Sequence, residues 1–192
     1  FIIILLLFIK NKIHLKWNNN INRNNIIYEK HKINHIALIL DGNRRYSKNN
    51  KINKEFQHYI GFYKMYEILN VIKNVGIKFI TIYAFSEENW KRDENEIKII
   101  MSFIDKINIS YKLHKKNKNG IFHDMEINIL STNKDKFNKE TIRSIDSIHN
   151  IKKMGTNKFT LNICLNYGGR QEINNALIKM KAKDRKEMGL KG

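Results

Sequence analysis

Four short apolar runs, each followed by a longer polar or amphipathic stretch, constrain the fold of this chain more than any other feature of its sequence. Residues 36–40 form a continuous apolar run closed by Asp41-Gly42-Asn43, and residues 79–85, 125–130 and 159–165 are stretches of similar length in which apolar residues predominate. Runs this short and this apolar are expected to be buried strands. Between them, Ile52, Phe56, Tyr59, Ile60, Tyr63, Tyr66, Leu69 and Ile72 recur at helical spacing, with Gly76 placed as the stop. Residues 94–113 carry Ile97, Ile100, Ile104 and Ile107 on one stripe, with acidic residues in the first turn, where the helix dipole favours them. Residues 137–148 and 171–183 are expected to be further helices. Strands alternating with helices of this length predict an α/β fold, a parallel β-sheet with helices on both faces.

The 192 residues suit one compact domain. With 36 Lys and Arg against 18 Asp and Glu, the net charge of +18 biases the chain toward anionic partners without saying which. The charge is discounted because Asn, Lys and Ile are abundant and proline is absent, a pattern that A/T-rich codons would produce. An apolar fraction of 42% excludes a disordered basic tail. The single Cys164 excludes a disulfide framework and a cysteine-based zinc site, and its place in an apolar run suits a small core residue. His31 and His35 stand four apart, but no carboxylate completes a metal set. Neither a Gly-x-Gly-x-x-Gly motif nor a P-loop is present.

Residues 1–32 read as an apolar leader followed by an Asn- and Lys-rich linker, and residues 33–192 as the folded domain. The nine apolar residues 1–9 would span about 14 Å as a helix, short of a bilayer core of roughly 30 Å. With Lys10, Lys12 and Lys16 behind it, this segment suits contact with a membrane surface or the remnant of a signal-anchor, and equally a leader without function. A first residue that is not Met and an end just after an expected helix read as a fragment of a longer chain.

Ligands of open parallel sheets bind beyond the carboxyl ends of the strands, so the loops there carry the functional reading. After the first strand stand Asp41, Gly42, Asn43, Arg44, Arg45 and Tyr46. Guanidinium forks pair with phosphate oxygens and a carboxylate can hold the accompanying Mg²⁺, so this set suits a diphosphate. Taken alone, it also suits an ordinary Asp-Gly turn with solvated arginines. After the second strand, Ser86, Asn89 and Arg92 are spaced to face one side of a helical turn. The same spacing suits an N-capping Ser86 with a capping-box Asn89 and a buried Trp90. After the fourth strand, Asn166-Tyr167-Gly168-Gly169-Arg170 places two glycines where the backbone turns or approaches something closely. Three polar, Arg-containing loops at three strand ends are harder to explain as plain turns together than singly.

Residues 35–46, 81–92 and 161–170 resemble, in order and spacing, the three signatures of the cis-prenyltransferases, the undecaprenyl and dehydrodolichyl diphosphate synthases. The likeness runs from about residue 33 to about residue 180, and Arg44 with Tyr46 is similar to the eukaryotic, dolichol-making branch. The resemblance implies an undecaprenyl diphosphate synthase-like fold and a prenyltransferase that adds isopentenyl diphosphate repeatedly to an allylic primer such as farnesyl diphosphate. It implies Mg²⁺ as cofactor, with Asp41 as its carboxylate and as a catalytic residue beside Ser86 and Asn89. Gly42, Asn43, Arg44, Arg45, His58, Lys54 and Arg92 would hold the substrate diphosphate, with Tyr46, Ala84, Phe85 and Trp90 in support. Lys54 stands where the family usually has an arginine, replacing a fork with a point charge. Apolar residues of the helices over 56–72 and 97–111 are expected to line a tunnel for the growing chain.

Also implied are a homodimer or a heterodimer with a related subunit, a membrane surface as product acceptor, and no nucleic-acid partner. Dolichol synthesis for protein glycosylation would place the protein peripherally at the endoplasmic reticulum membrane, with the cytoplasm or a plastid-like organelle as alternatives. The family's late Arg-Ser-Phe signature for isopentenyl diphosphate, and a late acidic Mg²⁺ ligand, do not occur by residue 192, so the domain is expected to be incomplete at its C-terminal end. The competing readings are a non-catalytic partner subunit, which would ordinarily lose the Asp41-type motif, an inactive fragment, and a basic nucleic-acid-binding domain.

Overall fold

The computed structural model describes residues 33–115, 117, 120–151, 158–180, 184 and 189. The leader and linker, His31 and most of residues 181–192 lie outside the described residues, so the expectations placed on them have no structural counterpart here. Four strands form one sheet: β1 (His35–Ile39), β2 (Phe79–Ser86), β3 (Met125–Leu130) and β4 (Phe159–Tyr167). All pairings are parallel and the order is β1-β2-β4-β3. Parallel neighbours need long crossovers, and helices provide them. Helix α1 covers Asn43–Asn49, α2 Gln57–Val75, α3 Glu94–Lys115, α4 Lys139–Ile151 and α5 Gly169–Lys179. The parallel α/β architecture is the one expected from the sequence.

Successive side chains of a strand point to opposite faces. One face carries Ile80, Ile82, Ile127, Ile129, Leu161 and Ile163, all buried, against Met65 and Leu69 of α2, Ile104 and Ile107 of α3 and Ile145 and Ile148 of α4. The other face is more polar. There His35 Nε2 lies 2.8 Å from Thr81 Oγ1, Asn162 Nδ2 donates to Thr81 Oγ1 at 3.3 Å, and Asn128 Nδ2 donates to Asn162 Oδ1 at 3.2 Å. A hydrogen-bonded row thus crosses all four strands, which satisfies side chains an apolar face would leave unpaired. Helix α5 buries no residue.

Several boundaries differ from the sequence reading, each for a local reason. The helix expected from residue 52 begins at Gln57, because the Asn53 side chain accepts from the Glu55 amide at 3.1 Å and closes a 3₁₀ turn over Lys54–Phe56 first. Its stop at Gly76 is as expected, in the left-handed conformation at φ 88°. Helix α1 replaces an expected turn; it is short and buries only Ser47, so no apolar period announces it. Helix α4 starts after Phe137 because Asn138 Oδ1 accepts from the Thr141 amide at 2.8 Å, an N-cap. Among the described residues no helix is long and apolar enough to cross a membrane.

Candidate active site

The carboxyl end of β1 turns sharply into α1. Gly42 occupies the N-cap position at φ 97°, a conformation an L side chain rarely adopts. This turn brings the Asp41 carboxylate over its own chain: Oδ1 accepts from the Gly42 amide at 2.6 Å and Oδ2 from Arg45 at 2.9 Å. Both side chains are exposed, so the carboxylate keeps open lone pairs. Asn43, the first residue of α1, lies against Gly61 of α2 so closely that a Cβ at position 61 would stand 2.5 Å from Asn43 Oδ1.

At the end of β2 the register against β4 slips twice. Tyr83 pairs with Cys164 and Phe85 with Leu165, which leaves Ala84 as an extra residue on β2; Ser86 then pairs with Tyr167, which leaves Asn166 extra on β4. A bulge re-aims the residues after it. Ile80 and Ile82 face the helices, so regular alternation would turn Phe85 away from them; after the bulge Phe85 is fully buried in the core. Its ring meets Trp90 edge-on at 5.1 Å, and Trp90 Nε1 donates to Asn166 Oδ1 at 2.7 Å. Asn166 is itself fully buried at φ 49°. Ser86 and Asn89 form a capping box at the 3₁₀ turn Glu87–Lys91, with the Ser86 amide donating to Asn89 Oδ1 at 3.1 Å. The first glycine after β4 lies close to the Glu87 side chain: a Cβ at Gly168 would stand 2.6 Å from its carboxylate, which would have to shift.

A residue that motif reading passed over ties these pieces together. Glu96, in the first turn of α3, accepts from Arg44 of α1 through Oε2 at 2.5 Å. Its Oε1 accepts from Arg92 at 2.9 Å and lies 2.9 Å from His58 Nε2 of α2. Burial pushes the Glu96 carboxyl up, but the hydrogen bond and charge of Arg44, with His58 and Arg92, outweigh it and hold the group below its ordinary value. Burial is also the main influence on His58, lowering its pKa against the opposing pull of Glu96.

These elements enclose a cleft of about 250 Å³. Its mouth carries Asp41, Asn43, His58, Ser86, Asn89 and Arg92; its walls are apolar, from Phe62 and Met65 of α2 and Phe103, Ile104 and Ile107 of α3. Apolar residues of α2 and α3, the helices expected to supply a tunnel, thus line this cleft. Ala84 lines the cleft, while Phe85 and Trp90 support it from the core. Arg44 and Lys54 do not line this cleft; both line a neighbouring groove of about 830 Å³ on the far side of His58. Arg45 reaches the cleft only through Asp41, and Tyr46 is exposed. Glu96 carried one usable signal, an acid four residues after Arg92 at a helix start, and Gly61 carried none.

Among the described residues no group of three His, Cys, Asp or Glu side chains could hold a metal. A lone exposed carboxylate beside the polar side chains of the cleft nevertheless fits Mg²⁺, which keeps several waters and commonly binds through one or two carboxylates plus substrate phosphates. Asp41, with its open lone pairs, is the residue that would hold it.

Residues 39–191 match the family model described as "Putative undecaprenyl diphosphate synthase". The isoprenyl transferase of Prochlorococcus marinus subsp. pastoris is 38% identical over 165 residues, covering 83% of this chain and 56% of the relative. That of Rickettsia bellii is 35% identical over 158 residues, covering 81% and 66%. This chain thus spans a little over half to about two thirds of the length of these relatives. Among solved structures, lavandulyl diphosphate synthase from Lavandula x intermedia, in complex with dimethylallyl diphosphate, superposes with a TM-score of 0.69 at 23% identity, covering 82% of this chain and 64% of that one. A probable undecaprenyl diphosphate synthase from Campylobacter jejuni gives 0.56 at 23%, covering 83% and 64%. At that identity they establish the shared fold, while the match of the family model over four fifths of the sequence establishes membership: the chain belongs to the undecaprenyl diphosphate synthase family of prenyltransferases.

Proposed function

We propose that the protein is the catalytic part of a cis-prenyltransferase that binds an allylic diphosphate such as farnesyl diphosphate and extends it with isopentenyl diphosphate. One observation carries the reading: a single cleft joins a polar mouth bearing Asp41, Asn43, His58 and Arg92 to apolar walls from α2 and α3. A ligand that suits both ends has an anionic head and a hydrocarbon tail. Ionising the allylic carbon–oxygen bond builds negative charge on the departing diphosphate, and fixed donors aimed at that charge favour the transition state over the ground state. Asn43 and Arg92 are those donors, Asp41 would hold Mg²⁺, and the ion, when bound, offsets the diphosphate charge. The apolar walls exclude water from the allylic cation, which water would otherwise capture.

The Arg44-Arg45-Tyr46 sequence favours a dolichol-type, long-chain product at the endoplasmic reticulum membrane, with a second subunit of its own or a related kind. Retention of Asp41 favours a catalytic subunit over a silent partner. The test is Mg²⁺-dependent binding of farnesyl diphosphate measured by calorimetry, with radiolabelled isopentenyl diphosphate incorporation into butanol-extractable product as the activity readout. In the full-length enzyme, with the downstream isopentenyl diphosphate signature that residues 1–192 lack, Asp41→Ala is expected to lower turnover on the order of a hundredfold, as loss of one electrostatic stabiliser does. Turnover within threefold of the unaltered enzyme, or farnesyl diphosphate binding that ignores Mg²⁺, would reject the assignment.

A further inference from the structure

Glu96 is an acid placed in a site whose proposed ligand is an anion, and that placement needs a reason. Its side chain is only 11% exposed, and three donors from three other elements converge on it: Arg44 from α1, His58 from α2 and Arg92 from the loop after β2. A carboxylate buried to this degree is costly unless paired, and here two guanidinium groups supply the pairing. The three partners do not end up in the same place. Arg92 lines the cleft and Arg44 lines the neighbouring groove, while His58 stands between them and lines both. The two oxygens of Glu96 part the two guanidinium groups: Oε2 takes Arg44, and Oε1 takes Arg92 together with His58.

We infer that Glu96 is a positioning residue that sorts the cationic side chains of the site, holding Arg92 and His58 on the cleft wall and keeping Arg44 off it. The inference rests on the proposed prenyl-diphosphate reading for what the cleft binds. It assigns Arg44 a structural partner in place of the diphosphate contact that motif position alone suggests. Removing the negative charge without changing shape has two opposed effects. The mouth becomes more positive, which favours an anion in the ground state, while Arg92 and His58 lose the contact that aims them, which harms the transition state.

The groups facing His58 are Glu96, Arg92 and Arg44, with the amide of Gln57 3.2 Å away and Lys54, Glu55 and Asp93 lining the adjoining groove. Of these, Glu96 favours the protonated ring and the two arginines oppose it.

The experiment compares Glu96→Gln with the unaltered protein in two measurements. Histidine titration by NMR should show the His58 midpoint lower in the variant; an unmoved or raised midpoint overturns the inference. In the full-length enzyme, with both substrates and Mg²⁺, turnover should fall tenfold or more while the dissociation constant of farnesyl diphosphate stays within threefold or tightens. Binding that weakens in proportion to turnover also overturns it, because uniform loss marks a damaged fold and not misplaced donors. Glu96→Asp, which returns the charge one methylene short, should recover part of the midpoint shift and part of the turnover, and no recovery counts against the inference. If Glu96→Gln does not fold, Arg92→Gln should move the His58 midpoint upward, and no movement overturns the shared-carboxylate geometry. Should the unaltered protein bind no farnesyl diphosphate, the functional reading fails by itself, and the titration still decides whether Glu96 organises these side chains.

Discussion

Gly61→Ala separates what stabilises this fold from what organises its site. Gly61 lies inside α2, where it imposes an entropic cost, and replacing glycine by alanine within a helix ordinarily stabilises by about 1 kcal/mol. The new methyl carbon, however, would stand 2.5 Å from Asn43 Oδ1, 2.7 Å from Nδ2 and 2.8 Å from Cγ, against 3.4–4 Å for ordinary contact. The Asn43 amide must therefore retreat by 3.4 − 2.5, or about 0.9 Å. Because the obstacle is the end of a side chain, the retreat costs the fold little; because that side chain lines the cleft mouth, it costs the site much. A misplacement of this size lowers the rate by up to about a hundredfold. The expected outcome is a melting temperature unchanged or raised by a few degrees, with turnover reduced roughly tenfold to a hundredfold. Thermal denaturation and isopentenyl incorporation, measured side by side on the full-length enzyme, provide the assay. In an Asn43→Ala background the same substitution should cost nothing further in turnover, since the group it displaces is gone. Turnover within twofold of the unaltered enzyme, at unchanged stability, would refute the claim that the Gly61–Asn43 approach positions Asn43.

Three further outcomes are expected. Phe85→Ala removes a fully buried ring packed edge-on against Trp90 and should destabilise the protein by about 3–5 kcal/mol in denaturant titration; a loss under 1 kcal/mol would contradict the placement of Phe85 after the bulge. Acidification should weaken the fold in two steps. The folded pKa of His58 lies below its ordinary 6.5, so the unfolded chain binds the proton first and stability falls as pH drops through 6.5 toward the folded value. Glu96, also held below its ordinary value of 4.5, contributes stability present above pH 4.5 and lost as pH falls through its folded value; denaturation midpoints at pH 7.5, 5.5 and 4 that do not decrease would contradict both. Deleting residues 1–16 should lower binding to anionic liposomes while sparing farnesyl diphosphate binding, and equal liposome binding by both chains would reject a membrane role for the leader.

The sequence by itself determined the fold class and pointed to the strand ends where the candidate cleft lies. Short apolar runs alternating with helical periods leave few arrangements other than a parallel sheet, and polar residues at strand ends mark where such a sheet binds ligands. These are short-range signals, written within a few residues of where they act. Only the tertiary structure decided which strands are neighbours, since period-two burial identifies a strand's faces and not its partners; the β1-β2-β4-β3 order follows from no local pattern. The two extra residues at Ala84 and Asn166 are likewise invisible until β2 and β4 are laid side by side. The same holds for Arg44, whose place in the loop after β1, read from sequence as suited to a diphosphate, points to the cleft. Its hydrogen bond to Glu96, 52 residues away, turns it to the other side of His58. A charged side chain takes whichever opposite charge the folded chain brings within reach, and contacts at that sequence separation exist only once the helices have packed.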